Sequence, residues 1–315
     1  MPAIALATYA SLPGGAADEQ PLIECLAALG VRAHTAVWDD PSIAWRDFDG
    51  VVVRSCWDYH LRHDDFFRWI DRVTAAGVPI WNSPTVLRWS SRKTYLHDLT
   101  IGDVRTVPTV WLLADNPRAT TASLATILTD TGWERAVVKP IISASAHETW
   151  SVTIDEARED ADVWDARLRA LITRPGAMVQ PFVQEVESDG EWSLQFFGGV
   201  FSHAVRKYAA LGDFRVTREW GGWHESVAPP PNVIRQAARA LRAAPGESVY
   251  ARVDGFIMGG DFVLTELELL EPSLFLDADP AAPMRFAQAI ARALGLLTAR
   301  AGTPASPARP PRRSR

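Results

Sequence analysis

Two strand patterns succeed one another along this 315-residue chain, and their order constrains the fold more than any single motif does. Over roughly the first 85 residues, short apolar strands alternate with helices. Ile4 to Thr8 reads as a strand, Asp18 to Leu29 as a helix closed by Gly30, Val31 to Val37 as a second strand, and Gly50-Val51-Val52-Val53-Arg54 as a buried third. Phe66 to Ala75 then has helical periodicity, with Gly77 as its stop. Strand followed by helix, repeated, is the pattern of a small parallel α/β layer. From Met178 the strands lengthen and tight turns replace the helices: Met178 to Phe182, Trp192 to Phe197, Val200 to Lys207, Tyr250 to Met258 and Phe262 to Leu270. The Gly198-Gly199 and Gly259-Gly260 pairs are hairpin turns, so this part is expected to be antiparallel.

Between the two patterns, Val86 to Leu99 and Thr121 to Thr131 read as helices, and Thr109 to Leu112 and Ala136 to Ile142 as extended. A helix from Met284 to Ala299 is expected to close the fold. The expected class is α/β with α+β parts: an N-terminal parallel unit at 1–85, a second unit at 86–177, a third at 178–300 and a disordered basic tail at 301–315. A chain of this length exceeds what one core usually serves, so several units are the expectation.

Composition narrows the function. With 47% hydrophobic residues and 13 Trp the chain has ample material for a core. Cys25 and Cys56 make neither a disulfide framework nor a metal-ligand spacing. The first ten residues lack a basic, long-apolar targeting pattern, and no run approaches the roughly 18 apolar residues of a membrane span. A cytoplasmic protein with no membrane partner is expected. A net charge of -6 argues against a phosphate-tracking nucleic-acid surface, the basic tail excepted.

Only Lys93, Lys139 and Lys207 are lysines among 32 basic residues, which makes each worth explaining. A compact ammonium serves phosphate as a point charge. Lys139 ends the apolar run Ala136-Val137-Val138, and Lys93 follows the Trp81-Asn82-Ser83-Pro84 turn. The strongest local signal is Tyr250-Ala-Arg252-Val-Asp254, a hairpin, and then Glu266-Leu-Glu268-Leu-Leu-Glu271-Pro272. Alternate side chains of a strand share a face, so Glu266 and Glu268 point one way, as do Arg252 and Asp254 on the partner strand. Crowded carboxylates repel, and a hard divalent cation with oxygen ligands relieves them. Magnesium, one ion or two, is the expected metal; a solvated acidic face is the structural alternative.

The Arg-x-Asp strand, its hairpin and the Glu-x-Glu strand resemble the metal-binding end of the ATP-grasp superfamily, whose last motif usually reads Glu-x-Asn. Glu268 stands in place of that asparagine. The resemblance implies an ATP-grasp fold in which two α+β subdomains clamp ATP behind an N-terminal parallel domain. It implies that Lys93 and Lys139 hold phosphates, that Gln180, Phe182 and Val183 bind adenine, and that Glu191, with Glu185 as second choice, binds ribose. Arg215, followed by Gly221-Gly222, resembles the phosphate-facing arginine of the glutathione synthetase-like branch, with Thr217 where that branch has asparagine. Lys207 would line the same channel, Arg252 would stabilise developing charge, and Asp254, Glu266 and Glu268 would hold metal. The segment Ser143 to Thr149 replaces the usual glycine-rich lid, and His147 within it is either catalytic or a surface residue.

Ligands of open α/β sheets bind at the carboxyl ends of strands. Arg54, just past the third strand, could therefore hold a carboxylate, and Asp58 with Tyr59 an amine or hydroxyl, although the neighbouring Trp57 and Tyr59 could equally cap a core. His60 and His63 read as a solvated helix start. Trp57-Asp-Tyr, Trp81-Asn-Ser-Pro and the Glu266 segment are similar to an ATP-grasp subgroup that contains a D-cycloserine-forming ligase. That resemblance implies an ATP-dependent carboxylate-amine ligase of antibiotic biosynthesis, acting on a small amino-acid-like substrate through an acyl phosphate. An intramolecular cyclisation of O-amino-D-serine is the narrowest form of the expectation. An ATP-grasp kinase and a non-catalytic ATP-binding module are the alternatives, and a homodimer is left open.

Overall fold

A computed structural model describes residues 1–116 and 119–298. The expected tail at 301–315 lies outside the described residues. Three sheets account for the chain. The first holds β1 (Ala3–Thr8), β2 (Arg32–Val37), β3 (Gly50–Ser55) and β4 (Ile80–Trp81) in the order β2-β1-β3-β4, all parallel. β1 and β3 are buried along their whole length, which is why their sequences are runs of Ala, Ile, Leu and Val rather than alternations.

The second sheet has the order β5-β8-β6-β7, from β5 (Val110–Leu113), β6 (Arg135–Pro140), β7 (Trp150–Thr153) and β8 (Gly176–Pro181). The expected strand from Met178 therefore pairs with β5 and β6, not with the long hairpins that follow it. Local patterning identifies a strand but not its neighbour, and here the partners lie about forty residues or more upstream.

β9 (Glu191–Phe197), β10 (Val200–Tyr208), β11 (Trp223–Val227), β12 (Tyr250–Met258) and β13 (Asp261–Glu268) form the third sheet, antiparallel in the order β11-β10-β9-β12-β13. Both Gly-Gly pairs turn as expected, each glycine at positive φ as such hairpins require. Glycine is needed for space at Gly255, where a Cβ would collide with the Val263 carbonyl oxygen at the register shift after Asp254.

The helix expected from Val86 to Leu99 is two helices, Pro84–Ser90 and Tyr95–Ile101. The Ser83 hydroxyl caps the first at the Val86 amide, with Pro84 in its first turn. Lys93 sits in the break between them, its amide bonded to the Ile141 carbonyl at 2.8 Å, and so is not on a helix. The closing helix spans Ala282–Ala293 and packs Phe286 and Ile290 against Leu22, Leu26 and Tyr250 in one core. It thereby ties the first sheet to the third. No described helix is long and apolar enough to cross a membrane.

Candidate active site

All three lysines of the chain line one cavity of about 630 Å³, where the ends of the three sheets meet. The third sheet supplies its acidic floor. Register places Arg252 opposite Glu268 and Asp254 opposite Glu266, the shared face that strand alternation predicts. Asp254 is only 2% exposed, and the Arg252 guanidinium engages both its carboxylate oxygens at 2.9–3.1 Å. The same guanidinium reaches Glu268 Oε1 and the Ser273 carbonyl. Lys207 bridges Asp254 at 3.1 Å and Glu191 at 2.8 Å, and Ser193 donates to Asp254 at 2.7 Å. Glu266 takes Lys93 at 2.9 Å and Lys139 at 3.6 Å.

The carboxylates expected to need a metal are thus neutralised by four side-chain cations. Among the described residues no three His, Cys, Asp or Glu side chains stand together as a metal-binding group. Burial opposes ionisation of Asp254, but Arg252 and Lys207 hold its carboxyl below the usual range. Burial likewise opposes Glu266, yet Lys93 and Lys139 hold it far below that range. Glu268 differs: burial, with Asp254 and Glu266 close by, outweighs Arg252 and pushes its carboxyl up to about 7. Its oxygens, with those of Asp254 and Glu266, are hard donors of the kind magnesium takes.

Phe182 and Val183 line the cavity beside Val137, Val186 and Phe256, an apolar cleft suited to a flat ring. Gln180 lines it too, its amide donating to Thr109 Oγ1 at 3.0 Å. Glu185 lies outside this cavity, beside a smaller one. Arg215 lines the cavity with its guanidinium clamped by Asp213 and laid on Trp220, 3.2 Å from the ring centroid. Ser143 and Ser145 also line it. His147 does not line it, and its ring lies 5.0 Å from that of His60.

The N-terminal side holds the corrections. Asp58 does not line the cavity: it accepts from Trp38 Nε1 at 2.9 Å and pairs with Arg62 at 2.7 Å. A lone Asp beside two aromatics reads as a ligand group, and its partner Trp38 lies twenty residues upstream. Tyr59 does line the cavity, and burial lifts its phenol well above the ordinary range. Arg54 borders it at 2% exposure, but its guanidinium is occupied by Asp18, Glu19 and the Pro272 carbonyl at 3.3–3.7 Å. His60, expected to be solvated, is half-buried.

Sequence reasoning gave no role to Glu271 or Asn82. Glu271 lines the cavity although strand alternation would put it on the face of Leu267 and Leu269; β13 ends at Glu268, so the alternation no longer applies. Asn82 ties the first sheet to the third with three hydrogen bonds, to the Tyr250 and Leu269 carbonyls and from the Val249 amide.

Known proteins resemble this chain along most of its length. Residues 4–82 match the family described as the N-terminal domain of D-cycloserine synthetase DcsG. The cycloserine biosynthesis protein DcsG of Streptomyces lavendulae is 33% identical over 289 residues, covering 88% of this chain and 94% of that protein. The crystal structure of a D-cycloserine synthetase DcsG superposes with a TM-score of 0.82 at 28% identity, covering 93% of this chain and 99% of that one. A D-alanine–D-alanine ligase from Bacillus anthracis, solved with ATP, shares the fold at a TM-score of 0.65 and 15% identity, over 93% and 97% of the two chains. With its sheet order, its cavity and this identity taken together, the chain belongs to the D-cycloserine synthetase family of ATP-grasp ligases.

Proposed function

We propose that the protein closes the ring of D-cycloserine, joining the carboxylate and aminooxy nitrogen of O-amino-D-serine at the expense of ATP. The observation that carries this reading is the convergence of Lys93, Lys139, Lys207 and Arg252 on one cavity that Arg54, Trp57 and Tyr59 also border. Such a cavity can hold a polyphosphate and a small acid side by side.

The adenine base occupies the apolar cleft at Phe182 and Val183, with Gln180 at its edge, and Glu191 receives ribose hydroxyls. Lys93 and Lys139 exchange Glu266 for phosphate oxygens, which a mobile ammonium can do without changing its charge. Asp254, Glu266 and Glu268 would hold magnesium, whose charge offsets that of the polyphosphate when bound. The substrate carboxylate attacks the γ-phosphorus and the bond to ADP breaks, giving an acyl phosphate. The aminooxy nitrogen then attacks the acyl carbon, loses a proton, and the carbon–oxygen bond to phosphate breaks. Arg252 and Arg215 offset charge on the phosphoryl and tetrahedral oxygens. Catalysis in such a site is mostly positioning and charge neutralisation.

The test is ADP and phosphate release with O-amino-D-serine, followed by mass spectrometry of the product. The reading predicts equal amounts of ADP, free phosphate and D-cycloserine. ADP with a stable phosphorylated product would make the protein a kinase, and ATP binding without turnover over a broad panel of amino acids would make it a binding module.

A further inference from the structure

The cavity's buried and half-buried carboxylates are paired, with one exception. Glu191 and Asp254 share Lys207, Asp254 and Glu268 share Arg252, Glu266 holds two lysines, and Asp18 stands 3.6 Å from Arg54. Glu271 is 9% exposed and lines the cavity, yet among the described residues its carboxyl forms no ion pair and accepts only from its own backbone amide. Burial, and then the charge of Glu268, push that carboxyl up to about 8. A largely buried polar group without a protein partner is costly, and the cavity is the one space this carboxyl faces.

Its backbone is braced from every side. Five successive carbonyls each accept from a side chain: Leu269 from Asn82, Leu270 from the Tyr250 hydroxyl, Glu271 from Trp57 Nε1, Pro272 from Arg54 and Ser273 from Arg252. Arg54 lies near the end of β3 and Trp57 in the loop after it, Asn82 directly follows β4, and Tyr250 and Arg252 lie near the start of β12. The bracing fixes where the Glu271 side chain starts, as a binding group requires. Tyr59, from the same loop, also lines the cavity, and its hydroxyl has no hydrogen-bond partner among the described residues. Both residues line the cavity, and Glu271 is the charged group that most opposes ionisation of this phenol.

An ammonium has three donors and no acceptor, and a carboxylate with a phenolic oxygen offers it acceptors in a water-poor site. We propose that Glu271 and Tyr59 form the subsite for the substrate's amino group, selecting small acids that carry a free cationic amine over those that lack one. This takes the place in the site that Asp58 was expected to fill. The choice of ligand rests on the ligase reading above, but the subsite itself rests on the unpaired Glu271 and its bracing.

The test reads binding, so that it fails separately from that reading. O-amino-D-serine and 3-(aminooxy)propanoate differ only in the amino group. Each would be titrated calorimetrically into the full-length protein with a non-hydrolysable ATP analogue, and into Glu271→Gln and Tyr59→Phe. The wild type should prefer the amino acid by roughly 10- to 100-fold, the range of a hydrogen bond to a charged group. Glu271→Gln should abolish the preference by weakening the amino acid alone, with affinity for the deamino acid and for the ATP analogue unchanged. Tyr59→Phe should weaken the amino acid by a smaller factor. A wild type that does not distinguish the two acids, or a Glu271→Gln that weakens both alike or neither, overturns the subsite. A protein that shows the preference but forms no ADP would keep the subsite and lose the ligase reading.

Discussion

Asn82→Ala removes the side chain that fastens the first sheet to the third. Asn82 is 1% exposed, donates to the Tyr250 carbonyl at 2.9 Å and the Leu269 carbonyl at 2.8 Å, and accepts from the Val249 amide at 2.7 Å. Truncation leaves two acceptors and one donor without this partner in a site that excludes water. Each such group costs about 1–3 kcal/mol, and with partial relaxation the three together cost about 4 kcal/mol. For a protein of this size that corresponds to a fall in Tm of roughly 5–10 °C, read by calorimetry. Asn82→Asp keeps the acceptor for Val249 but turns a second acceptor toward two carbonyls, so it should lose at least as much. Because Leu269 begins the braced run that ends at Ser273, the Ala variant should also bind the amino-acid substrate more weakly than it binds ATP. A loss below about 1 kcal/mol in both variants would refute the reasoning, since it would mean that these hydrogen bonds are replaced at no cost.

Arg54→Met separates two readings of one residue. Leaving Asp18 and Glu19 without their cation should destabilise the fold by about 3–5 kcal/mol; unchanged unfolding with a raised KM for substrate would instead make Arg54 a carboxylate ligand. Lys139→Ala should lower kcat at least about 100-fold while the thermal midpoint stays put, because Glu266 keeps Lys93 at 2.9 Å. Burial, and then His147, push the His60 imidazole down to about 4. An unfolded histidine titrates near 6.5, so the unfolded chain binds the extra proton between these values, and stability should fall as pH drops from about 6.5 to 4. His60→Phe should flatten that slope in thermal melts; an unchanged slope would exclude His60 as its source.

What the sequence made legible was local and periodic. Strand alternation put Arg252 and Asp254 on one face and Glu266 and Glu268 on another, and the Gly259-Gly260 turn set the two faces together, as the register shows. Alternating strands and helices gave the parallel first sheet for the same reason. What escaped depends on residues far apart in the chain. Asp58 is turned aside by Trp38 and Arg62, and Arg54 is occupied by Asp18, Glu19 and a carbonyl 218 residues away. The break at Lys93 carries no Gly or Pro; the residues on either side keep helical spacing while the Lys93 amide bonds to Ile141 instead. The edge strand Trp223–Val227 is short and largely exposed, so it has no apolar alternation to read. The sequence patch included Arg252 but not the lysines: Lys93, Lys139 and Lys207 reach Glu266 and Asp254 from a helix break and two other strands, and no local pattern shows that pairing.

The central claim is that the substrate carboxylate is activated by phosphoryl transfer before nitrogen attacks it. Transfer of ¹⁸O tests this most directly: O-amino-D-serine labelled in both carboxylate oxygens is turned over with ATP, and the released phosphate is examined by ³¹P NMR. The account predicts one labelled oxygen in phosphate for each ring closed. Phosphate free of label, with D-cycloserine formed, would contradict it.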